Sequence, residues 1–211
     1  MSDTNRKYNV NEEFFDEWSK KMAWVLGLFY ADASIGDAGP KCRKSKRVSL
    51  MLKDEETVVK VKKALEFEHP IKLVKGKYYL LNIGSKKLFE SLSNLGMKNR
   101  VMPPVPIEYA SDFMRGFIDG DGCSYRYNHG KYSYVRTVLN NQNEELLENM
   151  RELIEKCGFK TQNVYYDKWS NVSRVVIHGT KFIFWLYDKK ETWFMKRKYL
   201  NCLDIGGLSF E

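Results

Sequence analysis

Two kinds of hydrophobic pattern follow each other along the chain, and the series occurs twice. Apolar residues at every second position predict β-strands, which we expect at 47–54, 77–85, 132–140 and 173–179. Apolar residues three or four positions apart predict amphipathic helices, which we expect at 57–65 and 144–154, and each half closes with an apolar helical stretch and a basic tail, at 88–100 and 182–198. Each series is preceded by a more continuous apolar stretch, at 22–36 and at 113–124.

These two apolar stretches are similar in sequence, which indicates an internal duplication. VLGLFYADA at 25–33 aligns without gaps with MRGFIDGDG at 114–122, at an offset of 89 residues. Each half is therefore expected to run helix-strand-strand-helix-strand-strand-helix. VMPPVPIEY at 101–109 contains three prolines and is the expected joint. We divide the chain into a leader (1–20), a first repeat (21–105) and a second repeat (106–211).

Small residues four positions apart lie on one face of each apolar helix. They are Gly27 and Ala31 in the first repeat, and Gly116 and Gly120 in the second. A glycine inside a helix costs about 1 kcal/mol relative to alanine, so its presence there needs a reason. Small residues at this spacing let two helix backbones approach closely. We therefore predict that the two apolar helices pack against each other through these four residues.

Close packing of these helices would bring Asp32 and Asp121 together at corresponding helix ends. The second helix is expected to begin near Phe113, with Ser111 or Asp112 as its N-cap. A carboxylate is disfavoured at a helix C-terminus, and two like charges repel. A divalent cation between them resolves both problems, and oxygen ligands without His or Cys favour Mg²⁺. An ordinary acidic turn after a helix is the alternative, but two copies in register favour the metal site.

Charge and composition restrict the function further. The chain has 211 residues and a net charge of +8, of which residues 1–105 carry +7 and residues 106–211 carry +1. KCRKSKR at 41–47 is the most basic segment, and such a surface can attract nucleic acid, an anionic membrane or an acidic protein. The three histidines and four scattered cysteines poorly supply zinc chemistry or a disulfide framework. No apolar run reaches a membrane-spanning length and no signal peptide is evident, so we expect a reducing, intracellular, DNA-containing compartment.

The two apolar helices also carry a family resemblance. FMRGFIDGDG at 113–122 resembles the second motif of the LAGLIDADG homing endonucleases, and MAWVLGLFYADAS at 22–34 resembles the first. GMKNRVMPPVP at 96–106 is similar to the bridge between the repeats of that family, and WLYDKKETWFMKRKY at 185–199 to the closing segment of its two-motif members. The first motif departs from the family pattern, with Tyr30 where an acid often stands and Ala33 in place of the final glycine.

The resemblance implies an α+β fold of the two-motif, single-chain type. A pseudo-twofold duplicated αββαββα unit would place two curved β-sheets astride double-stranded DNA. A monomer would hydrolyse two phosphodiester bonds at a long asymmetric target and leave a double-strand break. Mg²⁺ would be held by Asp32 and Asp121 together with Ala31 and Gly120. Mn²⁺ would substitute for it, and Ca²⁺ would bind without cleavage.

The resemblance also assigns catalytic roles to basic and polar residues near the repeat ends. Lys98, in GMKNR, falls where the family often has an active-site lysine, and Lys196, in FMKRK, is its counterpart. Lys198 competes with Lys196 because the register is loose there. Solvated cations at a helix end are the alternative for all three. Water-organising residues or ordinary turn residues are expected at Asp54, Asn141 and Gln142.

DNA contacts are expected on the exposed face of the strands. On the strand at 47–54, Val48, Leu50 and Leu52 should face the helices, and Arg47, Ser49, Met51 and Lys53 should face DNA. The candidate DNA-binding residues are all basic: Arg43, Lys44, Lys46, Arg47, Lys53, Arg126, Lys131, Arg136 and Arg174. The many aromatic residues are expected to serve core and sheet packing rather than base stacking.

Three other functions remain as alternatives. The first is a catalytically weak nucleic-acid-binding protein on the same scaffold, either an RNA maturase or a DNA-binding regulator. Retention of both Asp32 and Asp121 favours a nuclease instead. The second is an intein, for which the chain lacks an initial Cys or Ser and a closing His-Asn pair. The third is a His-based nuclease, for which the chain has too few histidines.

Overall fold

The computed structural model of the chain describes residues 8–37, 45–187 and 192–206. The first repeat consists of α1 (Lys20–Asp32), β1 (Ala33–Asp37), β2 (Lys46–Leu52), α2 (Glu55–Ala64), β3 (Lys72–Val74), β4 (Tyr78–Gly84) and α3 (Lys86–Asn94). The second consists of α4 (Ala110–Asp121), β5 (Gly122–His129), β6 (Tyr132–Asn141), α5 (Glu144–Lys156), β7 (Tyr165–Asp167), β8 (Val172–His178) and α6 (Thr180–Leu186), and α7 (Lys196–Gly206) follows. The predicted order of elements is confirmed in both repeats. None of the helices in these ranges is long and apolar enough to span a membrane.

Each repeat forms one four-stranded antiparallel sheet. The strand orders are β1-β2-β4-β3 and β5-β6-β8-β7, so the two sheets have the same topology. Their registers also correspond, because Ala33 lies opposite Leu50 and Gly122 lies opposite Leu139. The offset of 89 residues seen in the motif therefore extends through the first strand pair of each sheet.

Each sheet has one face against the helices and one face directed outward. On β2, Val48, Leu50 and Leu52 are buried, while Arg47 and Met51 are exposed, as the period-2 pattern predicts. The helices on the inner face complete a hydrophobic core that extends through both repeats. Burial of this apolar surface is the main stabilising contribution to the fold.

One local prediction is wrong. Helix α4 begins at Ala110 rather than near Phe113, and neither Ser111 nor Asp112 caps it. A 3₁₀ turn at Ile107–Tyr109 leads directly into the helix, and the buried Asp112 forms an ion pair with Arg115 instead of a cap. At the close of the second repeat, the apolar helical stretch forms α6, which ends at Leu186, and the basic residues begin α7 at Lys196.

The residues before α1 pack onto the first repeat. Phe14 and Phe15 lie in the hydrophobic core, and the Asn11 amide donates to the Leu65 carbonyl at 2.9 Å. Ser19 caps α1 by accepting a hydrogen bond from the Met22 amide. This segment therefore helps to set the position of α1, whose other end carries Asp32.

Candidate active site

Helices α1 and α4 cross with their backbones in contact. A Cβ added to Gly27 would lie 2.0 Å from the Phe113 carbonyl oxygen, and one added to Gly116 would lie 2.0 Å from the Trp24 carbonyl oxygen. Since Trp24 and Phe113 are themselves equivalent at the offset of 89, the two contacts are related by the pseudo-twofold axis. No side chain larger than hydrogen fits at either glycine without moving a helix backbone.

The helices remain in contact up to their C-terminal ends. A Cβ on Gly120 would lie 2.4 Å from the Ala31 Cβ and 2.5 Å from a carboxylate oxygen of Asp32. Asp32 therefore lies against the residue that precedes Asp121. The small residues Ala31 and Gly120 are what allow the two carboxylates to come this close.

Burial and mutual repulsion raise the pKa of these carboxyl groups. The pKa of Asp121 is raised to about 6, first by burial and then by the negative charge of Asp32, against the opposing charges of Arg100 and Lys198. The pKa of Asp32 is raised by burial, with Lys198 and Arg197 lowering it. Both groups end a helix, where the backbone dipole also disfavours a negative charge. The metal-free pair is therefore electrostatically strained.

A hard divalent cation fits this pair. Two adjacent carboxylates supply the oxygen ligands that Mg²⁺ prefers, and a cation would offset their repulsion. Within residues 8–37, 45–187 and 192–206, no group of three or more His, Cys, Asp or Glu side chains could hold a metal. The remaining ligands would therefore be backbone carbonyls, including those of Ala31 and Gly120, together with water or a phosphate. Incomplete protein ligation of this kind is usual for Mg²⁺.

Two cations approach the carboxylate pair, and they are not the two that the sequence favours. Lys198 Nζ donates to the Ile118 carbonyl at 3.2 Å and to the Gly122 carbonyl, at the end of α4. Arg100 Nη1 donates to the Tyr30 carbonyl at 2.8 Å, at the end of α1. Burial, and then the charge of Arg197, lowers the pKa of Lys198. Arg100 and Lys198 therefore each contact the end of a motif helix, and both charges lower the pKa of Asp121.

The structure places Lys98 and Lys196 elsewhere. Lys196 is exposed and lies near Lys60, whose pKa is lowered mainly by burial and in part by Lys196. Lys98 is also exposed, and its charge contributes, after the Lys46 hydrogen bond, to lowering the pKa of Asp37. Of the two competing lysines in the second repeat, Lys198 is the one that contacts the end of α4. Positions two apart on a helix point about 200° apart, so only one of these two lysines can face α4.

Sequence reasoning missed Arg100, although a signal for it was present. Met97 and Met195 are both buried, and each is followed three residues later by a basic residue, Arg100 or Lys198. Aligning GMKNR with FMKRK on these methionines pairs Arg100 with Lys198. In both segments the lysine directly after the methionine is exposed, and the basic residue three positions after the methionine is the one that contacts a motif helix.

Side-chain amides line a cleft beside Asp121. The cleft has a volume of about 550 Å³ and is lined by Ala31, Arg100, Asp121, Asn140, Asn141, Gln142, Asn143 and Val172. Asn140 Nδ2 donates to the Asp121 carbonyl at 3.0 Å, and Asn143 Nδ2 donates to the Arg100 carbonyl at 3.1 Å. These bonds tie the cleft wall to the backbone at Asp121 and at Arg100.

The three polar residues expected to organise water differ in their placement. Asp54 caps α2 by accepting from the Thr57 amide at 2.9 Å, and Asn141 accepts from the Asn143 amide at 3.0 Å. Both are therefore engaged in local backbone structure, as turn residues are. Gln142 is exposed on the cleft wall, where its amide faces solvent.

The basic candidates of the first sheet lie on different faces. Arg47 is exposed on the outer face of β2. Lys53 comes directly after the strand, an even number of residues from Arg47, and is also exposed. Lys46 lies on the inner face, where it pairs with Asp37 at 2.6 Å and lies over the Phe89 ring at 4.9 Å. The expectation that Lys46 shares a surface with Arg47 is wrong, because consecutive strand residues point to opposite faces. Arg43 and Lys44 lie outside the described residues.

The same alternation divides the candidates of the second sheet. Arg136 and Arg174 point to the outer face, where Arg174 pairs with Asp167 at 2.9 Å. Arg126 points inward and donates to Ser133 at 3.3 Å and to the Ile205 carbonyl of α7, so its expected place beside Arg136 is wrong. Lys131 lies in the β5–β6 turn, with its amine over the Tyr132 ring at 5.4 Å.

Tyrosines cover the outer face of the β5–β6 hairpin. Tyr127 stacks on Tyr134 with ring centroids 5.3 Å apart, and Tyr125 and Tyr132 flank this pair. The Arg136 guanidinium lies 3.9 Å from the Tyr127 ring centroid. Tyr132 is 57% exposed, and the Tyr127–Tyr134 pair is a cross-strand contact of the kind expected for sheet packing. We call Tyr125, Tyr127, Tyr132 and Tyr134 the tyrosine cluster.

Comparisons with known proteins agree with this geometry. A family model described as a LAGLIDADG-like domain matches residues 108–189. The structure of I-DmoI in complex with DNA and Mn is similar, with 18% identity and a TM-score of 0.57 over 90% of this chain and 98% of that chain. I-SmaMI bound to uncleaved DNA with calcium ions has 13% identity and a TM-score of 0.56 over 90% of this chain and 91% of that one.

A third structure extends the likeness. The LAGLIDADG meganuclease I-AabMI bound to uncleaved DNA has 10% identity and a TM-score of 0.61, covering 87% of this chain and 89% of that chain. A comparison with curated proteins finds no match. Three findings support one fold assignment: the duplicated αββαββα architecture, the crossed motif helices and the family-model match within the second repeat. The chain has the two-repeat fold of the LAGLIDADG homing endonucleases, and the LAGLIDADG-like domain model matches residues 108–189 within its second repeat.

Proposed function

We propose that this protein is a site-specific DNA endonuclease that uses Mg²⁺ to hydrolyse one phosphodiester bond in each strand of a long asymmetric target. The observation that carries the proposal is the pair of half-buried carboxylates, Asp32 and Asp121, at the crossing of α1 and α4. Related folds support it, since I-DmoI has been crystallised with DNA together with Mn or Ca, and a variant of it with DNA and Mg.

The residues around the pair suit phosphodiester hydrolysis. A bound divalent cation supplies Lewis acidity and lowers the pKa of a water molecule. Asp32 and Asp121, with the carbonyl groups of Ala31 and Gly120, would hold it. Arg100 and Lys198 would offset the negative charge that develops on phosphate oxygens in the transition state. The exposed amide of Gln142 can donate to or accept from a water molecule in the cleft.

Two unequal sheets on one chain suit a target with unequal halves. The first sheet would contact phosphates or base edges through Arg47 and Lys53, and the second through Lys131, Arg136 and Arg174. Arg43 and Lys44 belong to the same basic segment of the sequence as Arg47. Each half would read its own half-site, so the protein would act as a monomer. An obligate dimer on a palindromic target, detected by sedimentation with DNA, would contradict this proposal.

The decisive experiment separates cleavage from binding. We expect the wild-type protein to select and cut a sequence from a duplex DNA library with Mg²⁺ and to bind it without cutting in Ca²⁺. Asp32→Asn and Asp121→Asn should each abolish double-strand cleavage and retain binding, because the change keeps shape but removes the charge that the cation needs. Asp37→Asn, at an exposed acid of β1, is the matched control. Full cleavage by either site variant would exclude a paired-metal nuclease.

One observation favours a second function, nucleic-acid binding without cleavage. A four-stranded sheet with exposed aromatic rings is a surface on which unpaired bases can stack. The tyrosine cluster with Arg136 is such a surface. An RNA maturase or DNA-binding regulator would bind single strands through it, and Tyr127→Ala would weaken that binding several-fold. Mg²⁺-dependent cutting of duplex DNA by the wild-type protein favours the endonuclease instead.

A further inference from the structure

Tyr30 and Asp119 occupy the same position in the two motif helices. Each stands two residues before a paired carboxylate, at the offset of 89 that relates the repeats. Both side chains are fully buried, and neither belongs to the metal site or to the outer faces of the sheets. A buried phenol and a buried carboxylate at equivalent positions require partners of their own.

Asp119 binds the segment that leads into α7. One carboxylate oxygen accepts from Trp24 Nε1 and from the Met195 amide, both at 2.8 Å, and the other accepts from the Tyr187 hydroxyl at 2.9 Å. Met195 immediately precedes α7, so its amide is one of the donors left unsatisfied at a helix start. The carboxylate thus holds the beginning of α7 against α1 and α4.

Tyr30 binds the equivalent segment of the first repeat. Its hydroxyl lies 2.6 Å from the Leu95 carbonyl and 2.7 Å from the Val101 carbonyl, on either side of GMKNR. This segment is tightly curved, because Gly96 and Arg100 both have left-handed backbones, with φ of 93° and 55°. A non-glycine residue in this region is unfavourable unless its surroundings hold it there.

The chemical difference between the two residues follows from their partners. In the first repeat the groups to be held are carbonyl oxygens, which need a donor, and a tyrosine hydroxyl provides one. In the second repeat they are an amide, an indole and a hydroxyl, which need an acceptor, and a carboxylate provides two acceptor oxygens. Tyrosine in place of an acid at position 30 is therefore matched to the segment that it contacts.

Each of the two segments places a basic side chain near the carboxylate pair. Arg100 lies within the segment bracketed by Tyr30 and returns a hydrogen bond to the Tyr30 carbonyl. Lys198 lies three residues after Met195 and donates to the carbonyls of Ile118 and Gly122, on either side of Asp119 and Asp121 in the chain. Each motif helix thus contacts the closing segment of its own repeat both through a buried side chain and through backbone carbonyl groups at its C-terminal end.

We propose that Tyr30 and Asp119 are positioning residues, each fastening the closing segment of its own repeat so that Arg100 and Lys198 are held at the paired carboxylates. This inference rests on the proposed nuclease function for its catalytic consequence, but the fastening itself is independent of catalysis. The two arms of the test separate these parts.

The first arm measures amide hydrogen exchange of the metal-free protein. Asp119→Ala should speed exchange of residues 193–200 by about tenfold or more, because losing even one of its three hydrogen bonds has about that effect, and it should leave residues 95–101 unchanged. Tyr30→Phe should instead speed exchange of residues 95–101 and leave residues 193–200 unchanged. Asp119→Asn, which keeps one acceptor oxygen, should restore part of the protection, and Tyr79→Phe is the control for loss of a tyrosine hydroxyl elsewhere in the first repeat. Equal loosening of both segments, or of neither, would overturn the proposal.

The second arm measures single-turnover cleavage and DNA affinity. Tyr30→Phe and Asp119→Asn should slow cleavage about tenfold or more without changing affinity, and they should accumulate nicks in opposite strands. Asp119→Asn should have little further effect in a Lys198→Met protein, and Tyr30→Phe should have little in an Arg100→Met protein. Additive losses would show a general structural role instead. If the wild-type protein cuts nothing, the proposed function fails, and the exchange measurements still decide whether the segments are fastened.

Discussion

The two repeats have the same backbone fold but differ in most of their side chains. The offset of 89 holds from the motif glycines to the residues that cap the following helices, Asp54 for α2 and Asn143 for α5. At the crossing, both helices need glycine, because each backbone fills the space that the other's side chain would occupy. Away from the crossing this constraint is absent, and the residues differ at most positions. Close backbone approach therefore accounts for what the halves have in common.

The outer faces show the divergence most clearly. The first sheet presents Arg47 and Lys53, and the segment 41–47 of its sequence adds more basic residues. The second sheet presents the tyrosine cluster at the corresponding hairpin. One half is suited to ionic contacts with phosphates and the other to non-ionic contacts with bases. The net charges of +7 and +1 in the two halves of the sequence agree with this difference.

A buried ion pair distinguishes the motif helices themselves. Asp112 and Arg115 of α4 correspond to Ala23 and Leu26 of α1, and all four are buried. Arg115 also donates to the Trp193 carbonyl at 2.7 Å and to the Leu186 carbonyl. The pair thus anchors the chain on both sides of the region between α6 and α7, which has no equivalent in the first repeat.

The largest stability change is expected when one partner of the buried Asp112–Arg115 ion pair is removed. Arg115→Leu should lower the free energy of unfolding by about 3–5 kcal/mol, because it leaves the Asp112 carboxylate buried without its cation. The double variant Asp112→Ala, Arg115→Leu, which copies the first repeat, should recover part of the loss. Urea denaturation of the single and double variants measures both values. A double variant less stable than the single one would contradict this account of the pair.

A symmetric loss is expected at the helix crossing. Gly27→Ala and Gly116→Ala should each lower the free energy of unfolding by about 3 kcal/mol, since the new methyl group meets a backbone oxygen that cannot move alone. Gly36→Ala is the control, because a Cβ there would meet nothing within 4 Å. Denaturation curves should show similar losses for the two crossing variants. A loss in only one of them would show that the crossing is not equivalent in the two repeats.

The carboxylates should make the metal-free protein less stable as pH rises. The pKa of Asp121 is about 6 in the folded chain, above its ordinary value of 3.8, so the folded state binds a proton more tightly than the unfolded state. Stability from this group is present below about pH 4 and is lost as pH rises through about 6. The change should be less than about 3 kcal/mol, because the group is partly solvated.

The contribution to this pH dependence is expected to differ between Asp32 and Asp121. Asp121→Asn should flatten the stability curve between pH 4 and 7 more than Asp32→Asn, since burial and the charge of Asp32 both raise the pKa of Asp121, whereas burial alone raises that of Asp32. Thermal melts in a chelating buffer measure it, and Mg²⁺ should reduce the slope for the wild-type protein. Identical slopes in the wild type and the Asp121→Asn variant would refute this coupling.

The smallest effects are expected on the outer faces. Arg47→Ser and Lys53→Ser should each reduce the slope of log affinity against log salt by about 0.9 if each residue neutralises one phosphate. Tyr127→Ala with Tyr134→Ala should weaken binding and leave the slope unchanged, because the rings carry no charge. Fluorescence anisotropy at several salt concentrations distinguishes the two outcomes. A changed slope in the tyrosine variant would remove the proposed contrast between the sheets.

The sequence by itself determined the order of elements, the duplication and the motif that pairs Asp32 with Asp121. These features depend on short-range periodicity and on residues that recur at a constant offset, so they can be identified before any contact is known. The inward and outward sets of β2 follow from the same alternation. The same alternation directs Lys46 to the inner face, opposite to Arg47.

Only the tertiary structure decided which polar groups meet. Lys198 rather than Lys196 reaches α4 because of the direction in which α7 starts, and that direction depends on the Asp119 contact with Met195. Arg126 turns toward α7, and Arg115 finds carbonyl groups that lie more than 70 residues away in the chain. Such partners are set by how separate segments pack, and a local pattern contains no information about them. The residues that assemble the proposed catalytic centre are therefore joined by long-range contacts, although each lies in an element that its own neighbours in the sequence predict.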